Sequence, residues 1–136
     1  MSDDLVQFLR NRLTDDERQA KAAMTYAAKD WFIETSGIVT TGPKDDVYTN
    51  DREVAEHIAR HDPARILCDV EAKREVIRLA EAAHDYHETF LSGFAAEMEK
   101  ALRLFAVAYA DHPEYRDEWR PTPSSRPIVD ETGSKL

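Results

Sequence analysis

The residues best suited to chemistry are histidines that fall in two pairs. His57 and His61 are four apart in a stretch that reads as helix, so both imidazoles can face one side. With a third donor from His112, Asp111 or Asp62 they could hold zinc or another divalent metal. The bare His-x-x-x-His pattern is common, however. The run His57-Ile58-Ala59-Arg60-His61 lacks the glutamate of the metalloprotease helix, and Arg60 and Arg65 disfavour a cation. The weightier reading is structural, each imidazole donating to a backbone carbonyl or to a carboxylate such as Asp111. His84 and His87, three apart, could likewise meet in a metal site or a pH-sensitive contact, but they fall where a polar bend between two helices is expected.

A second constellation is Arg60, Arg65, Arg116 and Arg120 with His61 and Tyr115. Guanidinium groups grip phosphate or carboxylate in a bidentate fork, so these residues could bind an anion. Asp62, Asp111 and Asp117 lie within the same stretches and would serve equally well as partners. The favoured expectation is therefore an internal network that holds residues 111–121 to the second and third helices, with Tyr115 and Trp119 as its apolar anchors. Cys68 follows Leu67 inside a helix, has no visible Cys/His/Asn arrangement, and is expected to be a buried packing residue. The chain has only Gly37, Gly42, Gly93 and Gly133, no glycine-rich phosphate loop and no Gly-x-Ser-x-Gly elbow. No residue is assigned a catalytic role.

These side chains need elements to place them. Residues 3–30 show apolar positions at Leu5, Val6, Leu9, Leu13, Ala20, Ala23, Met24 and Ala27, close to a helical period. Thr14-Asp15-Asp16-Glu17 matches a capping box, which leaves a restart and an unbroken helix equally open. Residues 31–50 are rich in β-formers, with turns at Ser36-Gly37 and at 42–46, and predict two or three short antiparallel strands that must pack on helices. Asp51 or Asn50 can cap a helix over about 51–61, with Val54, Ala55 and Ile58 facing inward. Asp62-Pro63 ends that helix and starts the next, the proline suiting its first turn and the aspartate its cap. From Ile66 an apolar stripe runs 66, 70, 73, 77, 80, 84 and on through 87, 91, 94, 98, 101, 105 and 108. That pattern allows one helix over 63–109 or a hairpin bending near His84–Glu88, the second half spanning about 88–109. The hairpin is favoured for a monomer and the long helix for a dimer formed through 84–108. Pro121, Pro123 and Pro127 with nearby serines predict a flexible tail over 121–136, after a single domain over 1–120.

With 18 basic and 27 acidic side chains among 136 residues, the net charge is −9. The surplus is spread thinly along the chain and interleaved with bases, so there is no acidic tail. A phosphate mimic would need folding to gather acids on one face, and ordinary nucleic-acid binding is disfavoured. One cysteine excludes an internal disulfide framework. No apolar run is long enough for a membrane span, and the acidic start Met1-Ser2-Asp3-Asp4 has no basic signal region; the expected location is cytoplasmic.

Two long motifs carry a likeness to a known family. His57-Ile58-Ala59-Arg60-His61-Asp62-Pro63-Ala64-Arg65 runs on to Arg74, and a second runs from Leu102-Arg103-Leu104 through Tyr109-Ala110-Asp111-His112-Pro113-Glu114-Tyr115-Arg116-Asp117-Glu118-Trp119-Arg120-Pro121. Together with Asp4–Leu9 they resemble the signature of a family of small actinobacterial and actinophage proteins of unknown function. The resemblance covers most of 3–121; it implies an origin in actinomycetes or their phages and no activity. Relatives in that family carry a cysteine- and histidine-bearing loop before the Leu-Arg-Leu helix. Here the region reads Ala83-His84-Asp85-Tyr86-His87 and has no cysteine.

The expected fold is α+β, mostly helical, with three to four helices and a small two- or three-stranded antiparallel sheet at about 31–50. The expected function is a non-enzymatic protein-interaction or regulatory module with a protein partner, no cofactor and no membrane. The alternative is a metal-binding protein, with a hydrolase among its forms, built on His57, His61 and His112.

Overall fold

Asp3 and Asp4 set two carboxylates at the positive end of the first helix dipole, and in the computed structural model α1 runs unbroken over Asp3–Ala23. The structure describes residues 3–35, 37–43, 45–85 and 93–122. Leu5, Leu9, Leu13 and Ala20 are all buried on α1, so one apolar face passes straight through the stretch where a restart was open. Glu17 does not reach back to cap Thr14. Its carboxylate accepts a hydrogen bond from Arg74 of the third helix at 2.6 Å and lies 3.6 Å from Lys21. That bond from Arg74 outweighs partial burial and holds the Glu17 carboxyl below its usual range.

Three short strands follow: β1 (Phe32–Thr35), β2 (Ile38–Thr40) and β3 (Asp46–Tyr48), antiparallel and in the order β1-β2-β3. The register pairs Phe32 with Thr40 and Thr40 with Asp46, Ile33 with Val39 and Val39 with Val47, and Ile38 with Tyr48, with a bulge between Ile33 and Thr35. Gly37 makes the first turn at φ +85°, and a β-carbon there would collide with the Thr49 carbonyl oxygen. Both the backbone angle and the close approach therefore demand glycine.

α2 (Arg52–Arg60) starts on Asp51, whose side chain accepts from the Glu53 amide at 3.0 Å. It covers the sheet face that carries Val39, and Ala55 and Val39 are both fully buried. Val54, expected to face inward, is instead 47% exposed. It sits one residue, about 100°, around the helix from Ala55, so the two cannot share the narrow contact.

α3 (Pro63–Asp85) and α4 (Phe94–Val107) are separate helices packed on each other and on α1. This settles the choice between one helix over 63–109 and a hairpin; the bend itself, with His87, lies outside the described residues. The apolar stripe is in phase along α3, where Val70, Ile77 and Ala80 are buried, except that Ala83 takes the last buried position and leaves His84 exposed. On α4 the buried positions are Leu102 and Ala106, with Met98, Phe105 and Tyr109 packed beside them. Phe94 and Ala108, both on the expected stripe, face solvent. The buried phase thus moves on by one residue, a rotation the helix break permits and a continuous helix would resist. Trp119, in a 3-10 turn over Asp117–Trp119, closes the core at 3% exposure. The fold is α+β and mostly helical, and among the described residues no helix is long and apolar enough to cross a membrane.

Candidate functional site

The α2–α3 corner is built on Asp62. One carboxylate oxygen accepts from the Arg65 amide at 2.9 Å and caps α3; the other accepts from the Trp31 amide at 3.0 Å. The Ala64 amide donates to the Lys29 carbonyl at 2.9 Å, and the Trp31 indole N–H donates to the Ala28 carbonyl at 2.8 Å. Free donors at a helix start are thereby satisfied by the chain segment that leads into β1, and Trp31 is fixed at the corner. Asp62→Ala is expected to cost about 1–2 kcal/mol and to loosen Trp31, while Asp62→Asn keeps most of the stability. Thermal melts followed by tryptophan fluorescence check this, and an unchanged melt for the alanine variant would remove the capping role.

His57 on α2 and His61, which caps its C-terminal end, lie side by side with ring centroids 4.2 Å apart. His61 Nδ1 donates to the His57 carbonyl at 2.7 Å. His112 is elsewhere engaged: its Nδ1 accepts from the Glu114 amide at 3.1 Å and lies 2.7 Å from the Arg12 guanidinium, and its ring packs edge-on against Phe8. Asp111 is exposed. Among the described residues, no group of three or more His, Cys, Asp or Glu side chains is placed to hold a metal ion.

The arginines also divide. Arg65 lies 3.9 Å from Asp69, and Arg60 lines a shallow hollow beside Trp31 and Ile33. Arg116 donates to Asp4 at 2.9 Å, and Arg120 to Asp117 at 3.2 Å. The segment after α4 is therefore held to α1, where the local abundance of charges suggested the second and third helices. Phe8 is the reason: its ring contacts those of Tyr109, His112, Tyr115 and Trp119, with centroids 5.0–6.4 Å away. Beside it, Arg12 is nearly covered; it lies 3.1 Å from Asp15, 3.4 Å from Glu114 and 5.3 Å over the Phe8 ring. Neither Phe8 nor Arg12 stands out in the sequence, since both look like ordinary members of an amphipathic helix. Cys68 is exposed, not buried: it lies two residues, about 200°, from Val70 on α3.

Several surfaces remain open among the described residues. A groove of about 400 Å³ runs between α1, Trp31 and the α2–α3 corner. Ala20, Trp31, Pro63 and Ile66 form its apolar walls, and Asp16, Gln19 and His61 supply its polar groups. The Tyr109 hydroxyl donates to Asp16 at 2.6 Å, and burial together with that bond pushes the phenol well above its ordinary range. The second surface is the side of the sheet away from α2, where Phe32, Ile38 and Tyr48 stand with Glu34, Thr40 and Asp46. The outer side of α4 adds Leu104 and Val107, which also face solvent.

Neither comparison with curated proteins nor comparison with solved structures gives a match. A family model does match, over residues 2–121, and the chain belongs to that family of unknown function, DUF6221.

Proposed function

We propose that the protein is a non-enzymatic interaction module that docks a partner protein on the outer face of its sheet. One observation carries this reading: Phe32 is 58% exposed and Tyr48 73% exposed on the face of Ile38. Aromatic side chains left in water on a pleated surface hold apolar area that association would bury, and aromatic residues are enriched where proteins meet. Glu34 and Asp46 border the face, so a partner with a basic rim suits it.

The test compares the wild type with the double variant Phe32→Ser, Tyr48→Ser as bait in a lysate of the source organism. The wild type is expected to retain a partner in stoichiometric amount, and the variant to lose it while its stability changes by no more than about 0.5 kcal/mol. Recovery of the same proteins by both baits, or of none by either, overturns the reading.

A further inference from the structure

The groove between α1, Trp31 and the α2–α3 corner is separate from the outer sheet face, and its chemistry points to a small molecule. We infer that it binds a compact organic cation, a primary amine carried on a single aromatic ring. Its volume, about 400 Å³, lies at the small end of ligand sites and suits one ring with a short arm. Its walls offer the indole of Trp31 and the apolar surfaces of Pro63 and Ile66, against which a ring can lie.

The polar groups choose the ligand's charge. Among the described residues, Asp16 is the one acidic side chain lining the groove, and no lysine or arginine lines it. Its carboxylate already accepts the Tyr109 hydroxyl through Oδ2, and the other oxygen remains an acceptor. His61 donates from Nδ1 to the His57 carbonyl, and in that tautomer Nε2 carries the lone pair. The Gln19 carbonyl is a third acceptor. A site with a carboxylate, two further acceptors and an indole face is complementary to an ammonium group, which supplies three donors and a charge for both carboxylate and ring. An anion would meet the Asp16 charge with no cation in the lining. Arg12, the guanidinium near Tyr109, is occupied by Asp15 and Glu114. The overall charge of −9 further raises the local concentration of cations.

Titration of the 15N-labelled protein with 2-phenylethylamine tests the inference, with 2-phenylethanol and 3-phenylpropionate as neutral and anionic matches of similar shape. The amine is expected to shift the Trp31 indole signal and the amides of Ala20, His61 and Ile66, and to bind roughly tenfold or more tightly than the alcohol. Asp16→Asn, which keeps an acceptor for Tyr109, should remove that preference. Gln19→Lys, a change at an exposed position, should abolish amine binding with the fold intact. Equal binding of the alcohol or the carboxylate, shifts centred away from Trp31, or no binding of the amine would each overturn it. None of these outcomes depends on Phe32 or Tyr48.

Discussion

Trp119→Ala is expected to destabilise the protein by about 3–5 kcal/mol, a large share of what holds a domain of this size. Trp119 is almost wholly buried at the end of a three-residue turn, where no regular element holds its backbone. Its ring lies 5.0 Å from Phe8 and 5.7 Å from Tyr115, with the Arg116 guanidinium 5.4 Å from its centre. Removing the indole leaves a void between α1 and the final segment that a 3-10 turn has few ways to close. Arg116 and Asp4 are both more than half exposed, so their ion pair contributes little to hold the segment in its place. Tyr115→Phe supplies the contrast. The Tyr115 hydroxyl is buried with no hydrogen-bond partner among the described residues, so deleting it removes a desolvated group and keeps the ring. That variant should match or slightly exceed the wild type. Urea unfolding followed by circular dichroism measures both; a loss below about 1 kcal/mol for Trp119→Ala would mean that the 109–119 segment merely rests on the surface.

The elements set by neighbouring residues were legible in the sequence, and the contacts set by distant ones were not. Asp62-Pro63 specified a helix start because a proline ring and an aspartate side chain act on the next few amides. Gly37 marked a turn for the same local reason. That residues 111–121 pack on α1 depends on Phe8 receiving four rings, a fact about shape over more than a hundred residues of separation. Charged residues misled here because acids occur beside nearly every arginine, so composition could not choose among partners: Arg116 took Asp4, and Glu17 took Arg74. The same limit applied to the candidate site. His57 and His61 could be placed together from their spacing alone. The acidic side chain that shares a groove with His61 is Asp16, and it looked like part of a capping box. Trp31 looked like the start of a strand, yet it is fixed at the helix corner by one side chain and one carbonyl. Phe94 and Val54 show the finer limit: periodicity locates an apolar face to within about a residue, and one residue is 100° of helix.

Tyr109→Phe links the core to the groove, and its effect should depend on pH. The phenol is half-buried and donates to Asp16 across the gap between the end of α4 and α1. A hydrogen bond to a charged acceptor contributes about 1.5–3 kcal/mol, so the variant should be less stable by about that amount at pH 7. Because the folded-state pKa of Tyr109 is raised by burial and by Asp16, its contribution is fully present below the unfolded phenol value of about 10 and is lost as the pH climbs toward the folded value. The phenylalanine variant has nothing to ionise at this position. The gap in stability between the two proteins should accordingly hold from neutral pH to about 9.5 and then narrow as the unfolded tyrosine gains access to a charged form closed to the folded one. Urea midpoints for both proteins between pH 7 and 11 give the answer. A gap that stays constant across that range would show that the hydroxyl contributes through shape alone, with its proton under no constraint from Asp16. The same substitution takes one donor from the Asp16 carboxylate and so leaves it a stronger acceptor at the groove; the stability lost at α4 should therefore appear alongside undiminished binding of the amine.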